Sequence, residues 1–412
     1  MKQALRVTWS VPVAVALATA SLPGVTSAQQ AVPTPVSVIG FEPGADFHLA
    51  TYEQSVDYFR RLEQASDRIR LVNVGRTSEG RDWFVAFISA PDNLAALDRF
   101  RGIGQRLAHP AGLTDDEARD LARDGRALVD ISGGLHASEV AGAQHTIELA
   151  YELVSAQGDS RIDAILQNVI LMLWPSLNPD GQDIVVNWYR ENVGGPYETA
   201  PLHQLYQKYI GHDNNRDAYM LNVPESRVVA RTWRDWEPQI IYVHHQSSPF
   251  PTRIWLPPFA EPIANRTPGL IARETNAIGM LIAQELDSRG QPGATHMGTG
   301  FDAWYPGYID YLPALQNIAA WWTETALFRY ATPGYYTIND FPSSYRDLRP
   351  GALYTSPWPG GWWRLRDAVE YMTTASIATL DYAAKFRETL LYNRYQSGRD
   401  AIHRYEEEPP FA

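Results

Sequence analysis

The chain contains no cysteine. That excludes disulfides, thiol nucleophiles and thiolate metal sites, so any metal must use His, Asp or Glu. Positive charge is scarce as well: 35 Lys and Arg stand against 47 Asp and Glu, for a net charge of -12. Binding a phosphate backbone needs a basic face, so nucleic acid is not an expected partner. Beyond the amino terminus no apolar run is long enough to cross a bilayer. What is present is a globular profile, with 45% hydrophobic residues in 412. That length suits one large domain or two ordinary ones. The 13 Trp and 22 Tyr point to an aromatic-rich cleft or surface as well as a core.

The amino terminus has the pattern of an export signal. Lys2 and Arg6 precede an apolar run from Val11 to Ala20, and Thr26-Ser27-Ala28 offers small residues for cleavage before Gln29. The expected product is exported, periplasmic or secreted, with no stable membrane insertion after cleavage. Residues 29–45, with Pro, Val and Gly and no clear period, read as a linker. Residues 46–390 read as one catalytic domain, and 391–412 as a helix end with an acidic tail.

Strand-like and helix-like patterns then alternate. Helical spacing marks 51–71, 94–107, 114–123, 140–155, 227–236, 270–288 and a long stretch over 364–395. Thr114, followed by acidic residues, reads as an N-cap. Residues 71–74 and 83–88 read as a hairpin around a turn. Apolar runs at 127–131, 169–174, 239–243 and 317–322 suit strands buried on both faces. The expected fold class is α/β, with a mostly parallel mixed central sheet flanked by helices on both faces.

The polar clusters follow these apolar runs. His136 and Glu139 come after the first, and Asn178-Pro179-Asp180-Gly181 after the second. His244 and His245 come after the third, and Glu324 after the fourth. Open α/β sheets bind ligands beyond the carboxyl ends of their strands, so the clusters would meet in one crevice. An HxxE spacing alone is weak, and NPDG alone is a turn-forming sequence. The ordered set carries the weight. Strand alternation lets only one of His244 and His245 face a shared metal.

The set HASE, NPDG, WYR (188–190), DNNR (213–216), HHQ (244–246) and WTET (322–325) resembles the zinc carboxypeptidase family of the carboxypeptidase A type, from about Thr51 to Arg329. His₂Glu zinc ligation in carboxypeptidase A is an established example of its kind. The resemblance implies one zinc ion held by His136, Glu139 and a later His; His245 is favoured, with His244 as the alternative. It implies Glu324 as the catalytic carboxylate and Arg190 as the arginine that polarises the scissile carbonyl. Asn215 and Arg216 would hold the substrate's terminal carboxylate, and Tyr305, or Tyr308, would lie over the site. The expected partner is a peptide with a free C-terminal carboxylate. A cell-wall peptide amidase on the same scaffold is the alternative enzyme. A noncatalytic peptide- or glycan-binding module would require loss of a ligand or of the catalytic Glu, and neither is missing. Two features depart from the best-known members: Ser138 stands where they carry an arginine, and residues 193–210 form an insert.

Overall fold

A strand with both faces covered is buried along its whole length, and four strands here are, save for the last residue of one. In the computed structural model, which describes residues 31–207, 213–247, 250–327 and 329–407, they form the centre of an eight-stranded sheet. The chain begins with α1 (Pro35–Ile39) and α2 (Tyr52–Ala65), then the hairpin β1 (Ile69–Arg76) and β2 (Asp82–Ile88). Helices α3 (Pro91–Ala95), α4 (Leu97–Ala108) and α5 (Asp115–Asp124) lead into β3 (Ala127–Gly133). Then come α6 (Ala141–Ser155), α7 (Ser160–Asn168), β4 (Val169–Leu173), α8 (Pro179–Asn192), α9 (Pro224–Trp236) and β5 (Ile240–Ser247). β6 (Ile254–Ile263), α10 (Gly269–Ser288), β7 (Ala294–Ala303) and β8 (Ala319–Ala326) complete the sheet. A small antiparallel pair of β9 (Gly334–Tyr336) and β10 (Gly361–Trp363) precedes α11 (Leu365–Lys385) and α12 (Arg387–Glu407).

The sheet order is β1-β2-β4-β3-β5-β8-β6-β7. β4, β3, β5 and β8 are mutually parallel, as are β6 and β7, and the remaining pairings are antiparallel. Side chains alternate between two cores. Val129, Ile131, Ile240, Tyr242, Ala319 and Trp321 enter one, with α2, α6 and α11. Leu128, Ile241, Val243, Ala320 and Trp322 enter the other, with α4, α5 and α9. Each fully buried Val, Leu or Ile contributes roughly 1.5–3 kcal/mol, so these central strands are the least able to move.

Local rules hold where they were expected. Thr114 caps α5, accepting from the Glu117 backbone N–H in a capping box. Several expectations need correction. Residues 31–45 are not a bare linker: Thr34 caps α1, and Ile39 is buried in the core. The NPDG turn starts a helix: Asn178 accepts from the Gly181 N–H and Pro179 opens α8. The stretch over 364–395 is two helices with a break at Phe386. α12 is no trailing end, because its Arg394 pairs with Glu237 in the interior. The export pattern lies outside the described residues.

Candidate metal centre and active site

His136 and Glu139 lie in the loop from β3 to α6, and glycines shape that loop. Gly134 has φ +73°, a backbone region that other residues avoid. A Cβ on Gly133 would stand 2.6 Å from the Gly142 Cα, so only glycine lets loop and helix approach this closely. The Glu139 N–H donates to the His136 carbonyl, closing a turn that sets both side chains on one side. Glu139 sits just before α6, where the positive end of the helix dipole favours a carboxylate.

Strand parity separates the paired histidines. His245 follows Ile241 and Val243 in facing, and its pairing partner across the sheet is Glu324. His244 faces the opposite way. Its Nε2 lies 2.9 Å from Ser376 Oγ on α11, and its ring packs against His145 at 4.3 Å.

Three side chains converge as candidate ligands. His136 Nδ1 faces Glu139 Oε1 at 2.7 Å, and His245 Nδ1 faces Glu139 Oε2 at 2.9 Å. One ligand atom from each of the three lies within 4.8 Å of the others. The far ring nitrogens are also fixed: His136 Nε2 lies 2.9 Å from Asp213 Oδ1, and His245 Nε2 lies 2.8 Å from Asp310 Oδ2. Carboxylates on the far nitrogens fix ring tautomer and orientation, as in carboxylate–histidine–metal arrangements. The donor set is His, Glu, His, which suits a divalent cation such as zinc. The residues therefore fit a metal.

The electrostatics agree. Burial works against charge on His136, but Glu139 and Asp213 outweigh it and hold the imidazole up at about 9. Burial likewise opposes charge on His245, and Glu139 with Asp310 raises it well above the ordinary value. Burial pushes Glu139 up, yet the two histidines overcome this and hold its carboxyl at about 2. This point in the molecule favours positive charge. Glu324 stands beside it, 6% exposed. Burial raises its carboxyl to about 8; His245 opposes the rise and Glu139 adds to it.

The other expected residues divide. Arg216 is near: its Nη1 is 3.5 Å from Asp213 Oδ2, and its guanidinium lies 4.5 Å from the centre of the Tyr308 ring. Asn215 is also near but fully engaged. Its Nδ2 donates to Asp310 and its Oδ1 accepts from the Ile309 N–H, so it positions Asp310 rather than facing a ligand. Tyr305 and Tyr308 pack edge-on at 5.2 Å, which places Tyr305 above Arg216's neighbour. Arg190 is the correction. It lies in the last turn of α8, where its Nη2 donates to the Leu49 carbonyl and to Gln54 Oε1. The structure uses it to hold the start of α2 and does not bring it to the cluster. Asp213 and Asp310 were missed as functional residues, although Asp213 opens the DNNR motif. The 193–210 insert contributes Tyr206, whose ring is 6.3 Å from that of His136.

Comparison with known proteins agrees with this geometry. Residues 55–247 match the family model described as zinc carboxypeptidase. Mouse carboxypeptidase D is 35% identical over 114 residues, covering 27% of this chain and 7% of that protein. Human carboxypeptidase D is 36% identical over 119 residues, covering 27% and 8%. The chain thus matches under a tenth of the length of these relatives. A metallo-carboxypeptidase from Burkholderia cenocepacia superposes with a TM-score of 0.52 at 13% identity, over 82% of this chain and 70% of that one. A metallo-carboxypeptidase from Pseudomonas aeruginosa, in complex with (2-guanidinoethylmercapto)succinic acid, gives 0.52 at 14%, over 83% and 70%. At such identities these structures speak for the fold. Residues 55–247 are thus similar to the zinc carboxypeptidase family, and the fold is similar to that of metallo-carboxypeptidases.

Proposed function

We propose that this protein is a zinc-dependent carboxypeptidase that hydrolyses the amide bond before a peptide's C-terminal residue. The observation that carries the reading is the convergence of His136 Nδ1, the Glu139 carboxylate and His245 Nδ1, with Asp213 and Asp310 behind the rings. These three residues would hold the ion. Zinc in such a site supplies Lewis acidity, activating water near neutral pH and polarising a carbonyl.

The chain's own groups do the rest. Glu324 takes a proton from the attacking water on its carboxylate and returns it to the leaving amine. Its burial raises its basicity, which suits that exchange near neutral pH. Arg216 grips the substrate's terminal carboxylate with two parallel hydrogen bonds. Asn215 acts through Asp310, holding the carboxylate that orients His245. Tyr305 and Tyr308 form an aromatic cover beside Arg216. The Lys2–Ala28 pattern supports an exported, periplasmic or secreted location for this activity.

Mass spectrometry of peptides incubated with the protein tests the reading. The expected result is stepwise loss from the C-terminus, stopped by a chelator and restored by zinc, with C-terminally amidated peptides resistant. Internal cleavage, or equal cleavage of amidated peptides, would contradict it.

A further inference from the structure

Arg253 is a charged side chain only 2% exposed, and it forms no ion pair with a carboxylate among the described residues. Its Nε donates to the Pro251 carbonyl at 3.2 Å. The guanidinium otherwise meets rings: its centre is 4.0 Å from the Trp358 ring and 4.7 Å from the Trp363 ring, with Phe250 and Tyr336 just under 6 Å away. Aromatic faces offset only part of the cost of burying an ion. Burial pushes this guanidinium down to about 10, with tyrosines and Asp367 acting against that fall.

This arginine lines an open cavity of about 370 Å³, together with Phe250, Ala326, Leu327, Tyr335, Tyr336 and Asp340. Asp340 is turned to its own helix start, its Oδ2 accepting from the Thr337 N–H and hydroxyl. The cavity belongs to the same end of the sheet as the metal centre. Phe250 follows β5, and Leu327 follows β8, three residues after Glu324. Gln246 joins the two places directly: its N–H donates to Glu139 Oε2 at 3.0 Å, and its Nε2 donates to the Ala326 carbonyl at 3.3 Å. The arginine's backbone is also fixed on both sides. Its N–H donates to the Gly293 carbonyl, its carbonyl accepts from the Ala326 N–H, and a Cβ on Gly293 would stand 2.7 Å from its Cγ. A fixed cation on the wall of a cavity is preorganised for an anion.

We propose that this cavity is a subsite for a carboxylate carried by the substrate on the amino-terminal side of the cleaved bond, paired by Arg253. The proposal rests on the carboxypeptidase reading in one respect: Arg216 takes the terminal carboxylate, so the second anion belongs upstream. The preferred substrates then carry an acidic residue before the residue released.

Succinate is the probe, titrated calorimetrically into the full metal-loaded chain carrying Arg216→Ala, which removes the other carboxylate grip. Adding Arg253→Met should weaken binding about tenfold or more. Arg253→Lys should fall between, since it keeps charge but not the planar fork. Near-UV circular dichroism of each variant checks that the fold is kept; the Lys variant retains the test if Met unfolds. Equal succinate affinity with and without Arg253, or no binding at all, would overturn the proposal. Competition by phosphate as strong as by succinate would also overturn it, as the mark of a free-anion site. A second arm compares peptides with Glu or Gln upstream of the released residue. The Glu peptide should show the lower KM in the natural chain, and that preference should vanish in Arg253→Met. Arg253-dependent succinate binding without cleavage of any peptide would leave the anion site standing and remove the carboxypeptidase reading instead.

Discussion

Asp310 stands directly behind His245, its Oδ2 2.8 Å from the ring's Nε2, while Nδ1 of the same ring faces Glu139. The carboxylate therefore decides which nitrogen is free to act as a ligand. Asp310→Asn keeps the size but removes the charge-assisted acceptor. It should lower zinc affinity about 10–100-fold. Competition with a chromogenic chelator measures this; unchanged affinity would show that the ring needs no orienting partner.

His244 and His245 are neighbours with opposite fates. His245→Ala should abolish stoichiometric metal. His244→Ala should keep the metal, because that ring lies on the other face with His145 and Ser376. It should cost stability instead, about 2–4 kcal/mol for the cavity and the lost contacts. Metal analysis and urea unfolding of both variants separate the roles. Loss of metal in the His244 variant alone would reverse the assignment.

His145 makes stability depend on pH. Burial holds its imidazole down at about 4, and its Gly142 carbonyl partner only partly opposes that. The unfolded chain therefore binds a proton on this residue below about 6.5 that the folded chain refuses until about 4. Its contribution is complete above the unfolded value and is lost as pH falls between these limits, by about 3 kcal/mol in all. His145→Gln cannot titrate. Unfolding measured from pH 7 to 4.5 should show the natural chain losing stability faster than this variant. Parallel curves would contradict the prediction.

Arg216 and Arg190 should differ in kinetics. Arg216→Lys loses the fork that matches a carboxylate, and kcat/KM should fall roughly tenfold or more, mostly through KM. Arg190→Ala touches only the contacts to Leu49 and Gln54, so kcat/KM should stay within about twofold. A large loss of kcat in the Arg190 variant would restore it to the site.

Much of the site was legible because ligands at strand ends leave a pattern. HASE, HHQ and WTET each follow an apolar run, and the structure brings His136, Glu139, His245 and Glu324 to one end of β3, β5 and β8. Strand parity allowed only one of His244 and His245 to face the site and the resemblance favoured His245, whose Nδ1 the structure turns to Glu139. Arg190 was misplaced because a motif fixes position along the chain, whereas the last turn of α8 points where helix phase sends it. Asp213 and Asp310 were hidden for a different reason: a carboxylate in a Gly-, Asn- or Tyr-bearing loop looks like any turn residue. β6 and β7 gave no strand signal, since one carries Pro257, Pro258 and Pro262 and the other Gly298 and Gly300. The break at Phe386 falls in a stretch without Gly or Pro, so nothing local announced it.

The central claim is that Glu324 works on a metal site it does not build. The most direct measurement is zinc content together with C-terminal release, for the natural chain and for Glu324→Gln. The account predicts one zinc per chain in both, with release reduced by a factor of about 10² or more in the variant. Zinc bound but undiminished release in Glu324→Gln, or no stoichiometric zinc in the natural chain, would contradict it.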